Sequence, residues 1–311
     1  MVDQWSRIGF NLHSKRASFR GNKIDNLYID DPIFKERRFS SFRLSDTYLN
    51  EIWHHLLSFN PDFIYAYPSA AYIVAKYVKN SKSKLPESLK AILLGSENIY
   101  NSQRDFIEDI FRVKTFAWYG HSEKLVLAGE CEYDRIYHAY PQYGFVEFIN
   151  QNNETAKPGE LAEIIGTGFI NTVMPFIRYR TGDWCVYLGD HCSLCKRNYP
   201  VFKNVQGRWI QEMLVGRDLN LISMSAINVH SKEFERVSRF QYFQEQPGKA
   251  TLKLVPSRSF SKFEEQKIFN TIQDKLKDTI VLDIQLVNDI PNTVSGKFKF
   301  IDQRLNIEDF K

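Results

Sequence analysis

The pattern of hydrophobic and polar positions becomes regular after Leu44. Apolar residues there recur at helical spacing behind Ser45, which can cap the helix. Short apolar stretches at 62–67, 90–94 and 113–118 then alternate with two more segments of helical periodicity. Strand, helix, strand, helix, strand is typical of a parallel sheet. The pattern therefore predicts the α/β class, with a large domain built on a parallel sheet.

The spacing changes twice further along the chain. After about residue 140, segments 144–149 and 161–165 are typical of strands, and Thr181-Gly182-Asp183 is typical of a tight turn between two more strands. These features predict an antiparallel β subregion. From about Gly207 the order of strands around a helix at 261–276 predicts a small α+β domain. We therefore expect domains at 1–210 and 211–311. Residues 1–43 contain scattered basic residues, among them Arg7 and Arg20, and are predicted to form a solvated, irregular or strand-rich surface segment, with a binding patch as the alternative.

Three polar segments follow the predicted parallel strands. They are Tyr67-Pro68-Ser69, Gly95-Ser96-Glu97-Asn98 and Tyr119-Gly120-His121-Ser122-Glu123. Ligands of parallel α/β sheets bind beyond the carboxyl ends of the strands. These segments are therefore the predicted ligand site.

Composition narrows the class of protein. The 311 residues have a net charge of +4, and 43% of them are hydrophobic. Such a chain can form a large core, while the small charge surplus does not favour a nucleic-acid-binding protein. No apolar run reaches the roughly 20 residues of a membrane span, and the first residues lack the apolar stretch of a secretory signal. We expect a cytoplasmic protein.

Five short motifs follow one another along the chain. They are Tyr119-Gly120-His121-Ser122-Glu123, Gly159-Glu160-Leu161, Tyr179-Arg180-Thr181-Gly182-Asp183, Gly207-Arg208 and Pro291-Asn292-Thr293-Val294-Ser295-Gly296-Lys297. Their order resembles the adenylate-forming superfamily of acyl-CoA ligases and adenylation domains. Segment 171–183 is most similar in style to phenylacetate-CoA ligase and to the CapK-like proteins of capsular polysaccharide clusters. The resemblance extends from Trp5 to Lys299.

The resemblance implies a nucleotide site on the large domain. In this family a carboxylate attacks the α-phosphate of ATP, giving an acyl-adenylate and pyrophosphate. Glu123 would ligate Mg²⁺ and Ser122 would contact the phosphate. Tyr119, which precedes Gly120, would pack on the adenine. Asp183 would accept hydrogen bonds from the ribose hydroxyls, since a carboxylate suits two neighbouring donors.

The resemblance also implies a role for the small domain. Arg208 would approach the ribose or the phosphate, and a hinge would follow near Ile210 and Gln211. Lys297 would swing in with a mobile C-terminal domain and bind the reacting oxygens. A second step would transfer the acyl group of a small carboxylic acid to a thiol, with CoA as the example.

The cysteines suggest a metal site. Cys192 and Cys195 form a CxxC pair, which by itself is typical of a zinc half-site or a redox pair. Together with an upstream cysteine and histidine, the pair would supply a tetrahedral Zn²⁺ set, and the resembling subgroup shows the same order. The predicted ligands are Cys131, His138, Cys192 and Cys195. His191 is the alternative imidazole, Cys185 is expected in the core, and free or buried thiols are the competing interpretation.

One family feature has no counterpart in the sequence. The family carries a Ser/Thr/Gly-rich phosphate loop before all of these motifs, and the 311 residues contain none. We therefore expect a large domain that lacks its N-terminal part. The alternatives are a shortened protein with weak or no adenylation, a second chain that supplies the loop, or a longer protein of which this chain is a part.

Three functions compete at this point. The first is ATP-dependent activation of a small carboxylic acid. The second is a non-catalytic zinc-bearing relative that binds a nucleotide or a partner, which the missing loop favours. The third is nucleotidyl transfer to a phosphate-bearing acceptor.

Overall fold

A computed structural model describes most of the chain. The described residues are 2–20, 24, 26–41, 43–206, 213–223, 227, 232–257, 259–293 and 298–310. The chain divides into two compact units, Met1–Gly207 and Arg208–Lys311. The predicted boundary at 210/211 lies outside the described residues. No helix in the described ranges is long and apolar enough to cross a membrane.

The first unit is built on one large sheet with helices packed against it. The helices are α1 (Val2–Ser6), α2 (Asp46–Phe59), α3 (Pro68–Ser81) and α4 (Asn101–Phe111). The strands are β1 (Arg16–Phe19), β2 (Ile29–Asp31), β3 (Glu36–Phe39), β4 (Phe63–Ala66), β5 (Ala91–Leu94), β6 (Lys114–Gly120), β7 (Leu127–Glu130), β8 (Tyr137–Ala139), β9 (Gly144–Ile149), β10 (Leu161–Gly168), β11 (Tyr179–Gly189) and β12 (Val201–Gln206). Their order in the sheet is β2-β3-β1-β4-β5-β6-β7-β8-β12-β11-β10-β9.

The first half of this sheet is mainly parallel. Strands β3, β1, β4, β5 and β6 run in the same direction, and β2 joins antiparallel at the edge. All four residues of β4 and of β5 are buried, because apolar side chains cover both faces. Helices α2, α3 and α4 share one core with the inner face, while a smaller cluster around Trp5 and Phe63 covers the other face. The predicted α/β class is confirmed.

Helix α2 shows how local sequence fixes these elements. The Ser45 side chain accepts a hydrogen bond from the amide of Tyr48, as its predicted capping role requires. At the other end Asn60 adopts a left-handed conformation with φ 49°, and Pro61 follows. Leu49, Ile52 and Leu56 are fully buried between these two ends.

The structure corrects the prediction for residues 1–43. This segment supplies β1 to β3, and β1 pairs with β4 in the parallel sheet. A strand of four residues is too short to show a clear period, and three of the four side chains of β1 are buried between its neighbours. The segment is therefore part of the sheet rather than a solvated surface segment.

The second half of the sheet is antiparallel, and it corrects a second prediction. Thr181-Gly182-Asp183 is not a tight turn between two strands, because β11 runs unbroken from Tyr179 to Gly189. Ile165 pairs with Arg180 and Glu163 pairs with Trp184. The three motif residues therefore stand opposite Ile164 alone, as a β-bulge.

The second unit is a small α+β domain. It contains β13 (Met213–Val215), β14 (Leu221–Ser223), β15 (Val237–Gln246), β16 (Lys249–Pro256), α5 (Lys262–Leu276), β17 (Val281–Leu286) and β18 (Ile301–Gln303). Four of these strands form a sheet in the order β17-β16-β15-β18. The predicted capping box of α5 is present, with Ser261 and Glu264 bonded reciprocally.

Candidate functional site

The three predicted segments lie at one edge of the parallel half-sheet. The register pairs Ala66 with Leu94 and Leu94 with Ala117, so β4, β5 and β6 reach their carboxyl ends side by side. Tyr67, Gly95 and Trp118 are the next residues along each chain segment. The topology therefore brings together the loops that the sequence predicted as a ligand site.

Two of the predicted nucleotide-site residues are in direct contact. The Tyr119 hydroxyl donates a 2.6 Å hydrogen bond to Oδ2 of Asp183, although 64 positions separate them in the sequence. Tyr119 is buried and Asp183 is half-buried. Burial, together with the negative charge of Asp183, raises the pKa of Tyr119 well above its usual value, so the hydroxyl keeps its proton. The sheet thus joins the parallel and antiparallel motifs at one point.

The bulge in β11 directs Asp183 toward Tyr119. Gly182 has φ +71°, a conformation that favours glycine. The Thr181 hydroxyl donates to the carbonyl of Ile164 at 2.6 Å and accepts from the amide of Asp183 at 3.1 Å. The amide of Gly182 donates to Glu163 at 3.2 Å. The polar groups of the bulge are therefore satisfied inside it, which fixes the backbone that bears Asp183.

The predicted magnesium ligand lies in the turn after β6. Nδ1 of His121 lies 3.4 Å from Oε2 of Glu123, and both side chains are partly buried. Ser122, between them, is exposed. The amide of Lys124 donates to the carbonyl of His121 at 3.2 Å and closes the turn. The turn thus presents one carboxylate and one hydroxyl, and the centroid of its His121 ring lies 6.0 Å from that of the Tyr119 ring.

Two predicted site residues cannot be placed. Arg208 and Lys297 lie outside the described residues, as do the predicted hinge residues Ile210 and Gln211. Their assigned roles stay predictions.

The four predicted metal ligands meet in one cluster. The ligand atoms of Cys131, His138, Cys192 and Cys195 all lie within 4.8 Å of one another. Nε2 of His138 is 3.4 Å from Sγ of Cys195. A tetrahedral Zn²⁺ with bonds of about 2.0–2.3 Å separates its ligand atoms by roughly 3.5–3.8 Å. Three thiols and one imidazole at this spacing fit zinc.

Short turns hold the cysteines in place. The amide of Cys131 donates to the carbonyl of Ile136, and the amide of Cys192 donates to the carbonyl of Arg197. The amide of Cys195 lies 3.5 Å from Sγ of Cys192, to which it donates. Strand β8 carries His138 and pairs with β12, so one pairing brings both turns together.

Charged side chains surround the cluster. Arg197 forms two hydrogen bonds with Glu132, at 2.7 and 2.8 Å, and these lower the pKa of Glu132 to about 2. Nη1 of Arg7 lies 3.2 Å from Nδ1 of His138. Burial, reinforced by the Arg7 and Arg197 charges, lowers the pKa of His138 to about 4, so the imidazole is neutral at pH 7. A neutral imidazole is the form that binds a metal.

Two further predictions concern side chains next to the cluster. His191, the alternative imidazole, is exposed and contacts Oδ1 of Asn198 at 2.7 Å. It is not one of the four clustered residues. Cys185 is fully buried on β11, as expected of a core thiol.

Sequence reasoning missed Arg7 and Arg20, which it included only in a basic surface segment. Arg7 follows α1 and reaches His138, 131 positions away. Arg20 follows β1 and reaches Ser96 at the carboxyl edge of the sheet. No short motif marks either residue, so only the observation of β1 inside the sheet could have found Arg20.

Comparison with known proteins shows a resemblance to CapK. Residues 214–304 match the CapK C-terminal domain. The chain is 22% identical to Protein CapK of Staphylococcus aureus over 303 residues, which cover 92% of this chain and 64% of the relative. Residues 214–304 therefore correspond to a CapK C-terminal domain, and the chain as a whole is similar to CapK. It spans less than two thirds of the length of that curated relative.

The solved structures agree with this fold. A 2-hydroxyisobutyryl-CoA ligase, crystallised in the postadenylation state with R3-HIB-AMP, matches with a TM-score of 0.73 and 17% identity, covering 99% of this chain and 69% of the ligase. A benzoate CoA ligase from Burkholderia xenovorans matches with a TM-score of 0.59 and 14% identity, covering 96% of this chain and 63% of the ligase. This chain therefore has the same fold as these CoA ligases.

Proposed function

We propose that the CapK-like chain takes part in activating a small carboxylic acid with ATP and Mg²⁺, giving an acyl-adenylate and pyrophosphate. The contact between Tyr119 and Asp183 is the observation that carries this proposal. It unites the two predicted nucleotide motifs at the carboxyl edge of a parallel sheet. The likeness to ligases crystallised with acyl-adenylates supports it.

The side chains suit the roles assigned to them. A half-buried carboxylate such as Asp183 can accept two hydrogen bonds from neighbouring hydroxyls, and Tyr119 fixes its orientation. The carboxylate of Glu123 is a ligand of the kind that Mg²⁺ prefers, and the exposed hydroxyl of Ser122 can donate to a phosphate oxygen. Arg208 and Lys297 would add positive charge where the reaction gathers negative charge. A thiol such as CoA would be the acceptor of the second step.

The phosphates need further donors. No Ser/Thr/Gly-rich loop occurs in the 311 residues, and backbone amides of such loops contribute strongly to phosphate binding. The CapK relative is longer than this chain. We therefore infer that polypeptide outside these 311 residues, in the same protein or in a second chain, supplies the phosphate loop.

The cysteine cluster is proposed as a structural zinc site. Cys131, His138, Cys192 and Cys195 would hold Zn²⁺, and three of the four residues are buried. Four protein ligands leave no position for a substrate or a water molecule. The metal would tie the turn before β8 to the loop before β12, and it would take no part in the reaction.

Pyrophosphate exchange with a panel of carboxylic acids tests the proposed activity. Acid-dependent exchange is expected once the polypeptide that carries the phosphate loop is present, and Asp183→Asn should then lower it about 10- to 100-fold, because a charge-assisted hydrogen bond contributes about 1.5–3 kcal/mol. Asp190→Asn, an exposed substitution in the loop after β11, is the control and should leave exchange unchanged. Absence of both exchange and ATP binding would exclude the activity for this chain.

A non-catalytic role is the second candidate, and the missing loop favours it. In that case isothermal titration calorimetry would show nucleotide binding that Asp183→Asn weakens, without pyrophosphate exchange with any acid. Pyrophosphate exchange would then stay undetectable even after the missing part of the large domain is supplied. Recovery of exchange would favour the enzymatic role.

A further inference from the structure

We propose that Arg20 selects the substrate, by binding an anionic group of the acid other than the carboxylate that reacts. The substrate class is then a small carboxylic acid with a second negatively charged group. The inference rests on the proposed function for the presence of an acid at this edge. The location of Arg20 and its unused hydrogen-bond donors support the proposed role in substrate selection.

Arg20 lies at the same edge as the predicted ligand loops. It directly follows β1, and the pairing of Phe19 with Ala66 puts it level with Tyr67 at the end of β4. From there its guanidinium extends across the sheet, and Nη2 donates a 2.7 Å hydrogen bond to Oγ of Ser96, beyond β5. The charged group therefore lies between the strand ends that carry Tyr67 and Trp118.

Aromatic rings surround the guanidinium. Its central carbon is 4.1 Å from the centroid of the Tyr65 ring, 5.3 Å from that of Tyr67 and 6.0 Å from that of Trp118. Contacts with ring faces favour a cation without neutralising its charge. The rings also limit the directions that the side chain can take, so the guanidinium is held in position before a ligand binds.

The backbone beneath Arg20 is specialised. Ser96 has φ +70°, which is uncommon for a serine, and this conformation presents the hydroxyl that Arg20 binds. A Cβ atom on Gly95 would lie 2.3 Å from Nε1 of Trp118, so the indole packs directly on the Gly95 backbone. Strained or unusual backbone conformations cluster at binding sites. The segment between β5 and α4 is therefore shaped around Arg20 and Trp118.

Among the described residues, Arg20 has no carboxylate partner, unlike the neighbouring arginines. Arg16, Arg37 and Arg38 form ion pairs with Glu36, Asp30 and Asp31. Within the described part of the chain, the bond to Ser96 is the one hydrogen bond of Arg20, and its buried Nε has no partner. The Glu97 carboxylate, one residue after Ser96, accepts bonds from the amide and the hydroxyl of Ser69 at 3.0 Å.

A ligand anion would complete this arrangement. Guanidinium offers five N–H donors in a planar fork that matches a carboxylate or a phosphate. A half-buried arginine with unused donors leaves hydrogen-bonding capacity unmet until such a group arrives. A second carboxylate on the substrate supplies the acceptor and the charge that the described residues do not.

Direct binding of matched acids tests the inference without ATP. Calorimetric titrations would compare benzoate with isophthalate, and butyrate with glutarate. We expect each dicarboxylate to bind about 10- to 100-fold more tightly than its partner, as charge-assisted hydrogen bonds to arginine would give. Arg20→Gln should remove that preference and leave monocarboxylate binding unchanged. Arg20→Lys keeps the charge but loses the fork, so it should keep a reduced preference.

Two controls make the outcome decisive. Arg38→Gln removes an arginine of the neighbouring strand that already has carboxylate partners, and it should retain the preference for dicarboxylates. Thermal melts would establish that each variant is folded. If Arg20→Gln does not fold, Arg20→Lys takes its place in the comparison. Equal binding of mono- and dicarboxylates, a preference that persists in Arg20→Gln, or no binding of any acid would overturn the inference. Dicarboxylate binding without pyrophosphate exchange would instead count against the proposed activity alone.

Discussion

The two candidate sites of the first unit differ in how complete they are. In the Cys/His cluster, four ligand atoms lie within 4.8 Å of one another. At the carboxyl edge, the polar side chains bond to each other, as Tyr119 does to Asp183. A structural metal site can be complete within one folded unit. A substrate site pairs some polar groups internally, as it does Asp183, and leaves others for the ligand, as it does Nε of Arg20.

Loss of a cluster ligand should give the largest effect. We expect the wild-type chain to bind one zinc ion per molecule and Cys192→Ala to lose it. Structural zinc sites contribute many kcal/mol, and a loss of only about 4 kcal/mol would lower the melting temperature by about 10 °C. Metal analysis and thermal melts measure both effects. Cys185→Ala is the matched control, since Cys185 is buried outside the cluster. Equal zinc contents in the two variants would contradict the assignment.

The bulge in β11 should be the next most sensitive feature. Gly182 and Gly159 both have positive φ values, of +71° and +94°, with open space where a Cβ would lie. Alanine at either position should cost about 1 kcal/mol of unfolding free energy. Only Gly182→Ala should also weaken nucleotide binding, by about tenfold, because it displaces Asp183. Urea unfolding and calorimetry separate the two effects. Equal nucleotide affinity in both variants would show that the bulge does not position the nucleotide site.

Removal of one hydroxyl should have a smaller effect. Tyr119→Phe deletes the bond to Asp183 and leaves the ring in place. We expect nucleotide affinity to fall about three- to tenfold, the usual contribution of one hydrogen bond. Tyr143→Phe, which alters a half-buried tyrosine after β8, is the control. Unchanged affinity in Tyr119→Phe would show that Asp183 needs no positioning by Tyr119.

The smallest effect should come from the bond network that joins the halves of the sheet. Glu108 accepts bonds from the amide and hydroxyl of Thr115 and from Arg135. Burial would raise the pKa of Glu108, but these hydrogen bonds and the Arg135 charge outweigh it and lower the pKa below its usual 4.5. The carboxylate therefore stabilises the fold above about pH 4.5, and this contribution is lost as the pH falls through the lowered pKa.

Urea unfolding at pH 7 and pH 3.5 measures this contribution. We expect Glu108→Gln to lose less stability between the two pH values than the wild type does, by under about 1 kcal/mol, since the network is partly exposed. Glu87→Gln, an exposed substitution, should behave like the wild type. An identical pH dependence in all three proteins would rule out a role for Glu108.

Local patterns account for much of the fold. The spacing of Leu49, Ile52 and Leu56 on α2, and the capping box at Ser261, need only neighbouring residues to be recognised. Strand β1 could not be predicted in the same way. Its stability comes from pairing with β3 and β4, which are distant in sequence, rather than from its own four residues.

The candidate site was likewise predicted where local sequence sufficed and missed where distant residues decide the structure. The cysteine and histidine cluster was predicted because a CxxC pair is typical of a zinc half-site and because the resembling subgroup shows the same order of ligands. The motif at 181–183 was predicted as a turn, since Thr-Gly-Asp has the same composition in a turn and in a bulge. Only the pairing of β10 with β11 distinguishes them. Arg20 was missed because its role depends on rings and a hydroxyl that three other strands supply.

The pairing of β8 with β12 also affects what proteolysis would do. A metal in the cluster would join positions more than fifty residues apart, across β9 to β11, and its binding free energy would add to the stability of the folded unit. Segment 169–177 lies inside this closed loop, and its Val173 side chain is 95% exposed. A protease that cuts there would produce two fragments that stay together as one folded unit, and a chelator would then release them.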